Sequence, residues 1–422
     1  MCFYKSAVLV YNVIEAWDGY LEWRQLRSYD KKQLPKELKD AFTKEEFQDS
    51  QSYGKEGSVL GFLIRAKSLI VSNARLLLKV PAKLYYLLSS KSGLRTGSFA
   101  HGWLFMVGLE AISTLIDIPF YYYYHFMFEK KHGFNKMSRW EFAKDTIKTF
   151  LLKSLLLCPI QNGLIHFVVS KFGERFPFYF FCAGTVIAVA TTFIYPTFIS
   201  PLFNVFTPLD ENGELYKKVK VLADKVNFPL KKICIVDGSR RSAHSNAYFY
   251  GFWKNKRVVI YDTLLEQLKG DDEQLLSILS HEFGHWKKGH AYYIAAIHLL
   301  QLLLISYGAR FVIFNQSLYT EFGFKEMDPV LGFSIFLEDF LQPMLIVLNY
   351  PIIQLIRRHE FDADEFAVSM GYGPKLKESL LTLTKENKSN FTPDPLYSAL
   401  KYTHPPLIER LNAITIAEKK RA

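Results

Sequence analysis

Cysteine is scarce in this sequence, and its spacing predicts no disulfide framework. The chain of 422 residues has four Cys residues, namely Cys2, Cys158, Cys182 and Cys234. None belongs to a C-x-x-C pair and two lie in apolar runs, which excludes a disulfide scaffold and predicts reduced or buried thiols. A cleavable signal peptide is not expected either, because Glu15 and Asp18 interrupt the first apolar run and no small-residue cleavage site follows.

Acidic residues are too few to balance the basic ones. Asp and Glu number 41 against 52 Lys and Arg, which gives a formal net charge of +11. The basic residues follow no nucleic-acid recognition motif, so we expect no nucleic-acid partner. The positive net charge is better explained by contact with the anionic leaflet of a lipid bilayer. A mean hydropathy of +0.02 is low for a protein that crosses a membrane many times, but it averages apolar stretches with charged loops.

Seven apolar runs are nevertheless long enough to span a bilayer. They are residues 7–23, 68–88, 99–126, 147–169, 178–203, 291–314 and 330–356. Several contain charges, such as Arg75, Asp117 and Glu338, which are costly at membrane depth unless they face a protein interior or a wet cavity. The pattern favours a membrane bundle around a polar space; the alternative is that some runs are buried helices of a soluble protein.

The loops between these runs alternate in charge. Lys and Arg are frequent in 24–67, 130–144, 217–288 and after residue 357. The alternate loops contain few basic residues: Lys91, Arg95, Lys171, Arg175 and Lys325. Because basic loops stay in the cytosol, we expect seven spans with a lumenal N-terminus and a cytosolic C-terminus.

The run HEFGHWKKGH contains His281, Glu282 and His285 in the order H-E-x-x-H. Residues four apart share one helix face, so the two imidazoles can bind one metal ion while Glu282 activates a water nearby. Zn²⁺ with two such nitrogens, one further protein ligand and an open position is a hydrolytic centre. His290 follows His281 by nine positions, on the opposite side of a continuous helix, and is a poor candidate for a ligand.

A polar insert at about 207–289 surrounds this motif. KKICIVDGS predicts one strand, and SNAYFYGFWKNKRVVIYDTLL predicts two strands around a tight turn near Lys254–Lys256. DDEQLLSILSHEFGHW predicts a helix that begins near Asp271 or Asp272. Strands followed by an H-E-x-x-H helix are the order expected of a zincin core.

The third metal ligand is best sought in RRHEFDADEFAVSMGY, after the last apolar run. Glu360 is the first candidate, and its rivals are Glu365, Asp362 and, more weakly, His359. Asp364, one helical turn beyond Glu360, can accept the remaining N–H of a ligating His and so determine its tautomer. His404, in YTHPPLIERL, is either structural or a donor to an oxyanion.

These segments together resemble the integral-membrane zinc CAAX prenyl proteases of type 1, which remove the last three residues of farnesylated C-a-a-X proteins. The resemblance covers nearly the whole chain. H-E-x-x-H alone is shared by many unrelated proteases, whereas HSNAYFYG together with H-E-F-x-A-D is much more specific. The segments that carry it are EKKHGFNK, HSNAYFYG, SHEFGHWKKGH, RRHEFDADEFA and HPPLIERL.

The resemblance implies a role for each matching residue. It makes His281, His285 and Glu360 the ligands of one Zn²⁺ and Glu282 the general base. The remaining roles are substrate-backbone binding by Asn246, transition-state stabilisation or support by His404 and Arg410, and bracing of the ligands by Asp364. The implied fold is a ring of seven helices around a large intramembrane chamber. Asp362 departs from many relatives, which have Gln or Glu there, but it lies outside the ligand set.

We therefore expect a mostly α-helical, polytopic membrane protein with seven transmembrane helices around a large chamber and a small zincin-like α/β metalloprotease insert. The expected divisions are 1–206 for spans one to five, 207–290 for the catalytic insert, 291–356 for spans six and seven, and 357–422 for a cytosolic region. The chain ends KKRA, a dilysine pattern typical of endoplasmic-reticulum membrane proteins with cytosolic tails.

The expected activity is zinc-dependent cleavage of farnesylated CAAX proteins at a bilayer. One alternative is a membrane quality-control zinc protease that cleaves damaged or stalled membrane proteins and needs no prenyl group. The other is a non-enzymatic membrane scaffold or lipid-handling protein.

Overall fold

The structure, a computed structural model, describes residues 2–252 and 255–421, and helices account for most of them. The helices before the sheet are α1 (Phe3–Ser28), α2 (Lys44–Leu77), α3 (Val80–Ser92), α4 (Phe99–Tyr123), α5 (Arg139–Leu152), α6 (Cys158–Phe172) and α7 (Phe176–Ile194). Those within and after it are α8 (Glu214–Val226), α9 (Asp262–Gln267), α10 (Asp272–Lys287), α11 (His290–Ile313), α12 (Gln316–Glu321), α13 (Pro329–Ile335), α14 (Gln342–Ser369), α15 (Gly373–Glu386), α16 (Pro395–Lys401) and α17 (Leu407–Lys419).

Four helical stretches in the described residues are long and apolar enough to cross a membrane. They are Phe99–Glu129, Arg139–Leu202, His290–Ile313 and Pro329–Ser369. Five predicted runs coincide with them, because Arg139–Leu202 contains 147–169 and all but the last residue of 178–203. In the first two stretches only 6% of the most apolar window is buried inside the protein, so these helices present apolar side chains outward, as contact with lipid requires.

The first two predicted runs, 7–23 and 68–88, do not belong to these stretches. Run 7–23 lies inside the continuous helix α1, but run 68–88 is wrong as a single helix. The structure ends α2 at Leu77 and begins α3 at Val80, with Lys79 in the left-handed region at φ 50°. Pro81 explains the break, because its ring clashes with the carbonyl four residues earlier, at Leu77, and it has no N–H to donate.

One sheet of four strands lies between the helices, in the order β1-β2-β4-β3. The strands are β1 (Phe206–Pro208), β2 (Leu230–Val236), β3 (Ala247–Phe252) and β4 (Asn255–Tyr261). The three strands predicted from the sequence are confirmed. Of the predicted turn near Lys254–Lys256, Lys254 lies outside the described residues, and Asn255 and Lys256 belong to β4 rather than to a turn. Strand β3 pairs antiparallel with β4 and forms an edge of the sheet, so its other side offers unpaired backbone groups.

Helix α10 packs its apolar face onto this sheet. Asp271 caps it by accepting a hydrogen bond from the backbone N–H of Gln274, which confirms the predicted start. Phe283 is fully buried and stacks on Phe228 with 4.4 Å between ring centroids. The core beneath α10 orients the opposite face of the helix, which carries the two histidines, away from the sheet.

A polar cluster joins the first helix to the C-terminal region. Asp18 in α1 is buried and accepts hydrogen bonds from Lys401 at 2.7 Å, Arg65 at 3.2 Å and Tyr350 at 3.1 Å. These donors come from α16, α2 and α14. The segment that precedes His404 is therefore tied to three helices.

Candidate metal centre

Three side chains from two helices converge at the H-E-x-x-H motif. The Nε2 atoms of His281 and His285, one helical turn apart on α10, are 3.2 Å from each other. Helix α14 crosses α10 and brings in Glu360, whose carboxylate oxygens lie 3.5 Å from His281 Nε2 and 3.3 Å from His285 Nε2. Among the described residues these three form a group that could hold one metal ion.

The spacing of these atoms fits a tetrahedral divalent metal. Bonds of about 2.0–2.2 Å to histidine nitrogen and carboxylate oxygen place neighbouring tetrahedral ligands about 3.3–3.5 Å apart. In the structure the two Nε2 atoms are 3.2 Å apart, and Glu360 lies at 3.5 Å from His281 through Oε2 and at 3.3 Å from His285 through Oε1. Two imidazoles and a carboxylate that face one another so closely can offer their donor atoms to one cation, so the donor set fits a metal.

Close approach of the two helices makes this geometry attainable. A Cβ atom at Gly284 would lie 3.1 Å from the Cα atom of Ala363 and 3.1 Å from the Cβ atom of Phe366 on α14. Glycine therefore permits the contact that brings Glu360 to the imidazoles.

His281 is braced from behind by a buried ion pair. Its Nδ1 lies 2.8 Å from Asp364 Oδ1, and Arg410 on α17 donates to both oxygens of Asp364, at 2.9 and 2.6 Å. Burial lowers the pKa of His281, but hydrogen bonds to Asp364 and Glu360 raise it to about 9. The centre thus favours positive charge, and Asp364 directs the Nε2 lone pair of His281 toward the other two donors.

Glu282 stands beside the donor set, in a cavity of about 150 Å³. Burial raises the pKa of its carboxyl group, an effect that the neighbouring imidazoles oppose. The same cavity is lined by Asn246, at the entry to β3, and by His404 and Arg410. The structure therefore brings all eight residues singled out in the sequence to one place.

His404 approaches from the loop before α17. Its Nδ1 lies 2.6 Å from Glu360 Oε2, while most of its side chain is exposed. His404 is also one of the residues that line the cavity beside Glu282.

The prediction that His290 lies on the opposite side of the helix from His281 is wrong, because α10 does not continue through His290. Gly289 adopts a left-handed conformation at φ 71° and separates α10 from α11. The turn brings His290 back to the centre, where its Nδ1 lies 2.9 Å from His285 Nδ1. His359 stacks on His290 with ring centroids 4.0 Å apart, and Asp362 lies 3.8 Å from His290 Nε2. The W-K-K-G-H continuation, in which glycine ends the helix, was the signal for this contact.

The other three candidates for the third metal ligand lie outside the group formed by His281, His285 and Glu360. Glu365 is exposed on the far side of α14, and His359 and Asp362 contact His290 rather than the three-residue group. Helix α14 therefore directs only Glu360, of these four, toward the histidines of α10.

Hydrolysis is the chemistry that such a donor set supports when a carboxylate stands beside it, and the outward apolar helices locate that chemistry at a membrane. The fold and the site thus define a membrane metallopeptidase.

Comparison with known proteins gives the family. Residues 25–205 match the family "CAAX prenyl protease N-terminal, five membrane helices", and residues 209–418 match "Peptidase family M48". The chain belongs to the CAAX prenyl protease 1 family, within peptidase family M48, and is a multi-pass membrane metalloendopeptidase.

Individual relatives align over almost their whole length. CAAX prenyl protease 1 homolog of Oryza sativa subsp. japonica is 38% identical over 424 residues, which cover 99% of both chains. CAAX prenyl protease 1 of Saccharomyces cerevisiae is 35% identical over 96% of this chain and 94% of its own. A crystal structure of S. mikatae Ste24p is similar with a TM-score of 0.92 and 32% identity, covering 98% of this chain and 99% of that one.

Proposed function

We propose that this protein removes the three C-terminal residues of farnesylated CAAX proteins by zinc-dependent amide hydrolysis. The observation that carries the proposal is the convergence of His281, His285 and Glu360 beside the cavity that Glu282 lines. The names of the relatives support the substrate class, since each is called a CAAX prenyl protease.

The metal in this proposal is one Zn²⁺, held by His281, His285 and Glu360. Two imidazoles and a carboxylate form a ligand set that zinc takes in hydrolases. When bound, the ion supplies a water of lowered pKa and polarises the scissile carbonyl.

Glu282 acts as the general base. It takes a proton from the attacking water and passes it to the nitrogen of the leaving amine, so that one carboxylate serves both halves of the reaction.

Asn246 and β3 hold the substrate. An extended peptide adds to the free edge of β3 through backbone hydrogen bonds, which fixes its register without requiring particular side chains. The side chain of Asn246 donates to the substrate backbone at the entry to this edge. The Nε2 of His404 stabilises the oxyanion, and Arg410 keeps Asp364 and His281 in place.

The membrane part presents the lipid-modified substrate. Seven helices form a ring around an intramembrane chamber: residues 1–206 contain spans one to five, and residues 291–356 contain spans six and seven. Residues 207–290, between these two parts, form a zincin-like insert at the cytosolic side of the chamber. Residues 357–422 complete the site. The prenyl chain is held by apolar contact worth about 0.8 kcal/mol per buried CH₂ group.

The protein resides in the endoplasmic-reticulum membrane with a lumenal N-terminus and a cytosolic C-terminus. The basic loops contact one another: Lys31 contacts Thr392, and Lys388 contacts His132. Lys388 follows Asn387, which lines the cavity of the metal centre. Two loops with few basic residues contact each other separately, through a hydrogen bond of 3.0 Å from the hydroxyl of Thr96 to Oε2 of Glu326. This distribution is what the positive-inside rule expects if the centre faces the cytosol.

The decisive experiment measures peptide cleavage by the purified full-length protein, with and without a farnesyl group on the cysteine. We expect a clear preference for the farnesylated peptide and loss of activity on zinc chelation, restored by zinc. Equal rates on the two peptides would overturn the proposal in favour of a quality-control protease, and no cleavage of either peptide would overturn it in favour of a non-enzymatic role.

A further inference from the structure

The loop between the fourth and fifth helices packs against the approach to β3. The backbone N–H of Ala243 donates to the carbonyl of Phe134 at 2.9 Å, and that of Lys136 donates to the carbonyl of Arg241 at 3.1 Å. An isolated bridge joins Asn135 to Ser242. A segment of the membrane bundle therefore lies beside residues 241–243, which lead into the strand that the substrate is proposed to join.

A buried carboxylate stands at the start of this loop. Glu129 is 3% exposed and ends the π-helical turn Tyr124–Glu129 that extends α4. It accepts hydrogen bonds from the hydroxyl of Tyr53 on α2, at 2.8 Å, and from Nε2 of His244, at 3.3 Å. One side chain thus connects two membrane-side helices to the residue three positions before β3.

The partners of His244 require both of its ring nitrogens to carry protons. Nδ1 lies 3.1 Å from Oδ1 of Asn387, and Nδ2 of the same amide donates to the carbonyl of Leu383, so the amide orientation is fixed. His244 therefore donates at both ends, as an imidazolium. Its ring also stacks on Phe134 at 4.1 Å. Burial lowers the pKa of His244, but its hydrogen bonds with Glu129 and Asn387 raise it more.

The anchored segment leads directly into the cavity of the metal centre. Ser245 and Asn246 follow His244 and line this cavity together with Asn387, the other partner of the imidazole. The carbonyl of His244 accepts a hydrogen bond from Thr263 at 3.0 Å, so the backbone at this position is held from the opposite side as well.

We infer that Glu129 and His244 are positioning residues that fix the entry of β3, and with it Asn246, for binding of an extended peptide substrate. This inference rests on the proposed pairing of substrate with β3. Loss of the pair lets the entry to the strand move, which weakens peptide binding while the metal ligands and Glu282, held by other helices, stay in place.

The loop provides a matched control. His132 also pairs with a carboxylate, Glu56, at 3.1 Å between His132 Nε2 and Glu56 Oε2. Within the described residues this second pair makes no hydrogen bond to residues 241–247. A Glu56→Gln change therefore removes a similar carboxylate partner from a histidine of the same loop, together with the ion pair of Glu56 with Lys131, without touching the entry to β3.

The test compares Glu129→Gln, His244→Phe and Glu56→Gln in the full-length, zinc-loaded protein with a farnesylated peptide. We expect KM to rise about tenfold in the first two variants, as loss of a charge-assisted hydrogen bond implies, with kcat changed by less than about threefold. Zinc content stays at the unaltered level, and Glu56→Gln leaves both constants unchanged. His244→Phe keeps the stack on Phe134 and serves alone if Glu129→Gln does not fold.

Binding alone provides a second readout. In a Glu282→Gln background, which is proposed to bind but not cleave, adding Glu129→Gln should weaken peptide affinity by the same factor as the rise in KM. An unchanged KM and affinity in the variants would overturn the inference, and so would a fall in kcat or in zinc content with KM unaltered. Failure of the proposed function is distinct, since the unaltered protein would then not cleave the peptide at all.

Discussion

The Nδ1 atom of His285 lies 2.9 Å from the Nδ1 atom of His290, the first residue of α11. Only one of these nitrogens can donate in a neutral pair. If Nε2 of His285 binds the metal, its Nδ1 carries the proton and His290 accepts it. The arrangement parallels the contact of His281 with Asp364, so each ligating imidazole is held from behind by a different partner.

Replacement of His290 by Ala should weaken zinc binding without removing a ligand. We expect affinity to fall about 10- to 100-fold, the usual effect of losing an outer partner of a ligating histidine. Competition with a chromophoric chelator measures it. His298→Ala, two turns further along the same helix, is the control and should bind zinc normally; equal affinities of the two variants would contradict the role of His290.

Glu282→Gln should separate metal binding from turnover. The amide keeps the shape of the carboxylate but cannot accept the proton, so kcat should fall at least about 10²- to 10⁴-fold. Zinc content, measured by elemental analysis of the purified protein, should stay at one ion per chain. Substantial remaining activity would show that another group is the base.

Glu360 and Glu365 form a natural comparison on one helix. Glu360→Gln removes the charged oxygen donor that faces both imidazoles, and it should cost the protein most of its zinc. Glu365→Gln changes an exposed carboxylate and should leave metal content and activity intact. Retention of zinc by Glu360→Gln, with normal affinity, would show that the third ligand is a different residue.

The Asp364–Arg410 pair should be strongly coupled. Either Asp364→Asn or Arg410→Met leaves a buried partner without its counter-charge, which costs about 3–5 kcal/mol of unfolding free energy. The double variant should be less destabilised than the sum of the two single changes, because no unpaired charge remains. Thermal unfolding in detergent provides the measurement. Strict additivity would indicate that the two side chains do not stabilise each other.

Gly284→Ala should be destabilising although alanine is the better helix former. The added methyl group would meet the backbone of Ala363, so α10 and α14 would be pushed apart, at a cost of about 1–3 kcal/mol. Zinc affinity should fall too, because Glu360 moves with α14. Gly61→Ala on α2, where the nearest atom is 3.7 Å away, is the control and should be neutral or slightly stabilising.

Local regularities were readable in the sequence. The H-E-x-x-H spacing follows from helical geometry alone, and the strands and the Asp271 cap follow from short patterns. The choice of Glu360 over Glu365 was not readable in this way, because it depends on how α14 docks onto α10. That docking is determined by contacts such as Gly284 with Ala363, between residues far apart in the chain.

Single backbone conformations account for the two errors. The left-handed turn at Gly289 brought His290 to the centre, although helical periodicity had placed it on the opposite side. Pro81 broke a run whose apolar content alone suggested one continuous span. In both cases one residue changes the direction of the chain that follows it. A hydrophobic pattern averaged over many residues does not show such a change at a single residue.

The residues of the metal centre are far apart in the sequence, and Arg410 follows His281 by 129 positions. The brace behind His281 therefore joins α10, α14 and α17, which are remote from one another in sequence, so a shift of α17 reaches the metal centre through Arg410 and Asp364.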